Sequence, residues 1–302
     1  MSLAMIAFNV ANSVSDAICF DILGEDGQNS YGKQRVWGAA GFGLTALIGG
    51  FGMDFYSEHD IKNYTPAFIL VLFFTLIDLL CCTKLRLPKM MSSENILKDV
   101  TKILKNRRII IFLGFTTLAG ILDSFIIYFL FWFLEDMAEE TGQESSIKLL
   151  EGLTVAAETL GSEILFFPLS GKILDMIGYN HSFTICFLNY ALRLGLISLI
   201  PSPWWILSIE LFMQGPTYAL TYTVIVAYAN AVSPPGTSAT MQGLVAGMDD
   251  GLGYAIGSLL GGFLYKATGG RRAFQYYSLL SLICSAAHFL IHRFYFTSDG
   301  EN

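Results

Sequence analysis

The chain has 302 residues, 53% of them hydrophobic and 14% charged, with a formal net charge of -7. Soluble domains carry about 25% charged residues, so these charges are too few to cover a water-facing surface. The acidic balance and scattered cations also exclude a nucleic-acid footprint.

Nine apolar segments are read in chain order, at 3–23, 36–53, 66–83, 109–134, 149–173, 183–200, 204–232, 238–265 and 274–296. Runs of about 18 apolar residues are long enough to cross a bilayer as helices. Barrel strands are rejected because the segments are long and lack strict alternation, and a bilayer demands internally satisfied backbone groups. The first segment is the most polar and carries Asn9, Asn12, Asp16 and Asp21. The five cysteines all lie in apolar runs and fit no zinc or disulfide framework.

The longest break, 84–108, holds eight basic residues against Glu94 and Asp99. The positive-inside rule places it in the cytoplasm. Within it, Ile96, Leu97, Val100, Ile103 and Leu104 share one helical face, the pattern of a helix lying on the membrane surface. A plain solvated linker is the alternative. Parity then puts the acidic loop 135–148 outside, together with 54–65, where Asn63-Tyr64-Thr65 is a glycosylation sequon. Twelve of the 18 basic residues fall inside under this topology. Lys266, Arg271 and Arg272 of the last outer loop are against the bias.

One stretch recurs. Residues 41–51, with Gly41, Gly49 and Gly50, reappear at 253–263, with Gly253, Gly261 and Gly262, at a constant offset of 212. The copies are the second and eighth segments, so the repeat unit is six helices. Two parallel six-helix halves are the signature of the major facilitator superfamily. The repeat makes the second segment the fifth helix of twelve. The chain is therefore expected to be an all-α integral membrane protein with about nine transmembrane helices in two bundles, lacking about three N-terminal helices. Residues 1–83 would be helices four to six, 84–108 the linker, and 109–302 a complete C-terminal six-helix bundle.

Ionisable groups in hydrocarbon are costly and are read first as functional. Asp123, Glu158, Glu163, Arg193, Glu210 and Asp250 are the candidates for a substrate or proton pathway. Arg193 is the only basic residue well inside a segment and has to find a carboxylate. Glu158 and Glu163, five residues apart on a helix, diverge by about 140°, so only one would face a central cavity. Gly171, Asp175 and Gly178 form a G-x-x-x-D-x-x-G turn suited to a gate latch, and the glycines of the repeat suit close helix packing. No metal or cofactor motif and no nucleophile–base constellation is visible.

The residues 31–41, Y-G-K-Q-R-V-W-G-A-A-G, resemble the start of the fifth helix in lactose permease-like members of the major facilitator superfamily. Gln242 to Gly247 with Gly251, Gly253 and Gly257 resembles their eleventh helix. The likeness is nearest to the branch named major facilitator superfamily domain-containing protein 6. It implies a sugar-contacting role for the position of Glu158, and matches Arg193 and Asp123 to ionisable groups of the ninth and seventh helices. In the tenth helix the symporter's proton-handling His and Glu fall on Phe212 and Gly215, so the resemblance carries over neither that proton mechanism nor the sugar. The expected function is transport of a small solute by alternating access, with protons as a candidate coupling ion, in the plasma membrane or an endomembrane. A receptor or interaction protein on a transporter scaffold, or a truncated inactive product, is the alternative.

Overall fold

The computed structural model describes residues 2–23, 27–56, 65–84, 101, 105–143, 147–233 and 237–296, and these contain helices and no strand. The first three helices are α1 (Ser2–Leu23), α2 (Gly27–Tyr56) and α3 (Thr65–Lys84). Next comes α4 (Arg107–Thr141). α5 (Ile147–Ala156) passes through a π turn at Ala157–Glu163 into α6 (Ile164–Leu199). α7 (Ile206–Gln214) passes through a π turn at Gly215–Ala219 into α8 (Leu220–Val232). α9 (Ser238–Ala246) passes through a third, at Gly247–Gly253, into α10 (Tyr254–Thr268). α11 (Gly270–Ile291) ends in a further π turn at His292–Phe296.

Helices overrun the apolar segments. α4 continues through Glu135, Asp136, Glu139 and Glu140, residues read from the sequence as loop. Hydropathy marks where lipid ends, whereas Glu, Met and Ala keep a helix going in water. The helix stops at Gly142, whose left-handed backbone (φ 67°) lets its N–H reach the carbonyls of Ala138 and Glu139. It starts at Asn106, whose side chain accepts the Arg108 N–H at 3.0 Å. The fifth and sixth segments are also joined without a loop: only Gly178, at φ 74° and ψ 165°, breaks α6 between them. Most of the basic linker lies outside the described residues, and so does the Asn63 sequon.

The core is aromatic and centred on α4. Phe125 stacks on Tyr277 at 3.8 Å and on Phe129 at 5.1 Å, and meets Phe274 edge-on. α11 is tied to α6 by serines donating to carbonyls across the pair, Ser278 to Ala191 and Ser281 to Phe187 at 2.6 Å and Ser285 to Thr184 at 3.0 Å. Such bonds hold helices together where no water competes.

Glycines set the closest approaches. A methyl group on Gly253 would lie 2.8 Å from the Thr117 carbonyl, one on Gly257 2.0 Å from Ser124 Oγ, and one on Gly261 2.7 Å from Phe129. With a spacing of four they form a smooth stripe against which α4 rests. In α2 the close approaches are at Gly32 against the Phe167 backbone and Gly43 against Thr159 and Leu160. Gly41 meets nothing within 4 Å, Gly49 meets only Leu70 at 3.8 Å, and Gly262 stands 3.7 Å from Phe129. The surroundings of Gly50 lie outside the described residues.

Among the described residues, four helical stretches are long and apolar enough to cross a membrane by length and composition: Thr65–Lys84, Arg107–Thr141, Leu150–Leu199 and Gly270–Phe294. α3 has no buried residue at all, and large side chains such as Phe68, Leu259 and Phe263 stand outward. A bare apolar surface of this extent suits lipid.

Gly257→Val should lower stability by about 1–3 kcal/mol through overpacking. Gly41→Ala should stay within about 0.5 kcal/mol of the parent. Thermal unfolding of the detergent-purified protein checks both, and equal losses would refute the packing argument.

Candidate functional site

The interior is organised around Arg193 on α6, which is 1% exposed. Its Nε lies 3.2 Å from Glu210 Oε1, and its Nη2 contacts Glu210 Oε2, so the fork is bidentate. Glu210, on α7, is fully buried. Nη2 also faces Glu158 Oε1 at 3.6 Å, and Nη1 donates to Thr217 Oγ1 at 2.9 Å. Glu158 and Thr217 each belong to a π turn. One guanidinium thus gathers four segments, and two carboxylates share it.

The π turns have a local cause and local compensation. Pro216 has no N–H to give to the preceding turn, and a widened turn results. Neighbours satisfy the freed groups: Gly215 N–H donates to Ser162 Oγ at 2.7 Å, and Asn189 Nδ2 donates to the Pro216 carbonyl at 3.1 Å. In the turn at Ala157–Glu163, i→i+5 bonding brings residues five apart toward one side. The α-helical divergence expected for Glu158 and Glu163 does not apply there. They still serve different partners, because Glu163 accepts from Gln214 Nε2 at 2.9 Å.

Asp123 of α4 is 7% exposed and accepts two phenol bonds, from Tyr190 at 3.0 Å and Tyr254 at 2.6 Å. Asp250 lies in the third π turn. It lines two small cavities, of about 20 and 10 Å³, one reaching Asp16 and the other Asp123. Neither has room for more than about one water. The neighbouring Asp249 is pressed against Gly120, where a methyl group would lie 2.4 Å from its carbonyl oxygen.

Asp16 and Arg35 were not among the candidate pathway residues. Asp16 accepts from Tyr31 at 2.7 Å and from Tyr222 at 2.5 Å, joining α1, α2 and α8. Arg35 stands over the Tyr222 ring, 4.7 Å from its centroid. The only signal for this cluster in the sequence is a carboxylate inside an apolar run. The tyrosines that complete it are 15 and 206 residues away.

The G-x-x-x-D-x-x-G turn lies far from Arg193 in the helix. Gly171 is buried, Asp175 is exposed and Gly178 supplies the break in α6. In the tenth helix of the twelve-helix numbering, Phe212 points outward at 71% exposure, and Gly215 packs against Phe166. The interior polar positions are Glu210 and Gln214 instead.

Comparison with known proteins agrees with this architecture. Residues 1–276 match the MFS_1 like family, and the chain belongs to it. The chain is similar to a zebrafish (Danio rerio) protein named major facilitator superfamily domain-containing protein 6-like, with 25% identity over 171 residues, covering 56% of this chain and 30% of that protein. It is also similar to the uncharacterized transporter YwbF of Bacillus subtilis (strain 168), with 24% identity over 272 residues, covering 89% of this chain and 64% of that one. The chain thus spans less than two thirds of the length of either relative. Family and apolar helices together make this a multi-pass membrane protein.

Arg193→Met should cost about 3–5 kcal/mol, because it leaves Glu210 buried without its cation. Arg193→Met with Glu210→Met should recover most of that loss, since a paired replacement removes both desolvated charges. Unfolding midpoints of the two single variants and the double variant close the cycle. Additive losses would mean that the pair is not the unit that matters.

Proposed function

We propose that the chain is part of a membrane transporter that moves a small solute by alternating access, with protons coupled through Glu158. The observation that carries this reading is the Arg193 centre. One guanidinium faces two carboxylates in a water-poor interior, so one negative charge is left over. A proton held between Glu158 and Glu210 neutralises it, and release of that proton changes what Arg193 can hold.

The two bundles of this reading are α1–α3 and α4–α11, with the linker 84–108 on the cytoplasmic side. The Asp16 cluster supports a joint between them: a carboxylate of α1 accepts from a phenol on α8. Breaking a few such bonds lets one bundle rock against the other. Asp123, Glu163 and Asp250 line the path between the joint and the Arg193 centre, and Asp175 with its flanking glycines acts as a latch at the cytoplasmic end.

The glycine stripes support the nine-of-twelve reading. In the second half, Gly253 and Gly261 rest on α4, the first helix of their bundle. Their repeat mates Gly41 and Gly49 face open space or a single leucine tip. A first helix of the other bundle would occupy that place. α3, with no buried residue, fits the same account.

Proteoliposomes carrying an internal pH dye test the coupling against a panel of sugars, amino acids, organic cations and organic anions. At least one class should accelerate proton entry, and Glu158→Gln should cut that accelerated entry at least tenfold. Equal entry in Glu158→Gln, or no solute-dependent entry with any class of the panel, overturns the proposal.

A further inference from the structure

A cavity of about 100 Å³, larger than the two beside Asp250, lies away from the Arg193 centre, where α4 begins and α11 ends. Its polar lining is Arg108, Tyr179, Asn180, Tyr228, His288 and His292, and among the described residues no carboxylate lines it. Arg108, Tyr179, Asn180, Tyr228 and His292 can each donate a hydrogen bond. Arg108 also sits in the first turn of α4, where the helix dipole favours an anion.

His288 is the informative member. It is 8% exposed, and its Nδ1 lies 2.7 Å from Thr184 Oγ1. That hydroxyl lies 3.2 Å from the Asn180 carbonyl, to which it donates. With its proton spent there, the hydroxyl accepts from Nδ1–H, so Nε2 of the neutral ring is an acceptor, suited to the P–OH of a monoprotonated phosphate. His292 lies one turn further along, with the His181 ring 6.1 Å away. Asp175 is close enough to act on Tyr179 but does not border the cavity.

A donor-rich pocket without acids recognises a compact oxyanion. A water needs about 10–15 Å³ of such space, so the cavity has room for a tetrahedral group. We propose that this pocket binds a phosphate group, held by Arg108 and His292 with His288 at its floor. On the topology proposed above the pocket faces the cytoplasmic headgroup layer, so the phosphate comes from an inner-leaflet lipid or from a soluble phosphate. The binding itself does not depend on transport.

The test uses the full chain in neutral phosphatidylcholine nanodiscs. In one arm inorganic phosphate is titrated against chloride at matched ionic strength. In the other, phosphatidylinositol phosphate replaces part of the neutral lipid. One arm or both should raise the unfolding midpoint saturably. Apparent affinity should fall at least tenfold in Arg108→Gln/His292→Gln and be largely kept in Arg108→Lys. A response to phosphate assigns a soluble source, and a response to lipid alone assigns the headgroup. As a check that needs no variant, diethyl pyrocarbonate modification of His288 and His292, read by mass spectrometry, should slow at least threefold with the effective probe. No saturable shift from either probe, or the same affinity in the double variant, overturns the site.

Discussion

A guanidinium taken out of water has to find negative charge close by, and this requirement shapes the interior. Arg193 is too deeply placed to reach either end of its helix. Glu210, Glu158 and Thr217 therefore have to come to it from separate segments. The Glu210 bond is bidentate and dry, so it fixes both the distance and the rotation of α7 against α6. Glu158 is the looser member, at 3.6 Å and with 18% of its side chain exposed. On the proposed reading, a strong fixed partner holds the cation and a weaker accessible one exchanges with what enters.

The rest of the helical packing is compatible with that centre because it avoids large side chains where backbones cross. Gly253, Gly257 and Gly261 let α10 lie directly on α4, and Gly32 does the same for α2 on α6. Such contacts are made of backbone and small atoms, so they lose little when one helix shifts along another. The three mid-helix π turns act in the other direction. Each widens a helix that carries a polar inward side chain, and at Gly215–Ala219 side chains from neighbouring segments bind the backbone groups of the turn. Rigid aiming at the centre and smooth faces around it belong to one design.

How much of this was legible in the sequence follows from what hydropathy and spacing encode. Apolar runs located the long described helices, because lipid exposure needs long uninterrupted stretches. Their ends were misplaced in α4, since acidic helical turns beyond the lipid look like loop. The need of Arg193 for a carboxylate was legible from charge alone, but not which of several would meet it. The pairing of Asp16 with Tyr31 and Tyr222 was hidden, because no local pattern records a contact between residues 206 apart. The glycine repeat pointed to close packing, yet Gly41 and Gly253 share a sequence context and not a neighbour. The π turns left only Pro216 as a trace, and two of the three have no proline.

Charge balance extends the argument from one pair to the whole interior. Among the described residues, Asp16, Asp123, Glu158, Glu163, Glu210, Asp249 and Asp250 are buried or half-buried, and so are the guanidinium residues Arg35 and Arg193. Phenols and amides take part of the load: Tyr190 and Tyr254 on Asp123, Tyr31 and Tyr222 on Asp16, Gln214 on Glu163. Neutral donors stabilise a carboxylate but do not cancel its charge, and like charges in a poor dielectric repel over long distances. On the proposed reading the surplus is met by mobile positive charge, as protons or as a cationic solute. On the proposed reading each bundle arrangement exposes a different subset of these carboxylates to water. The number of mobile charges held then differs between arrangements. On that reading the difference is the physical form of coupling, and it needs no appeal to the identity of the solute.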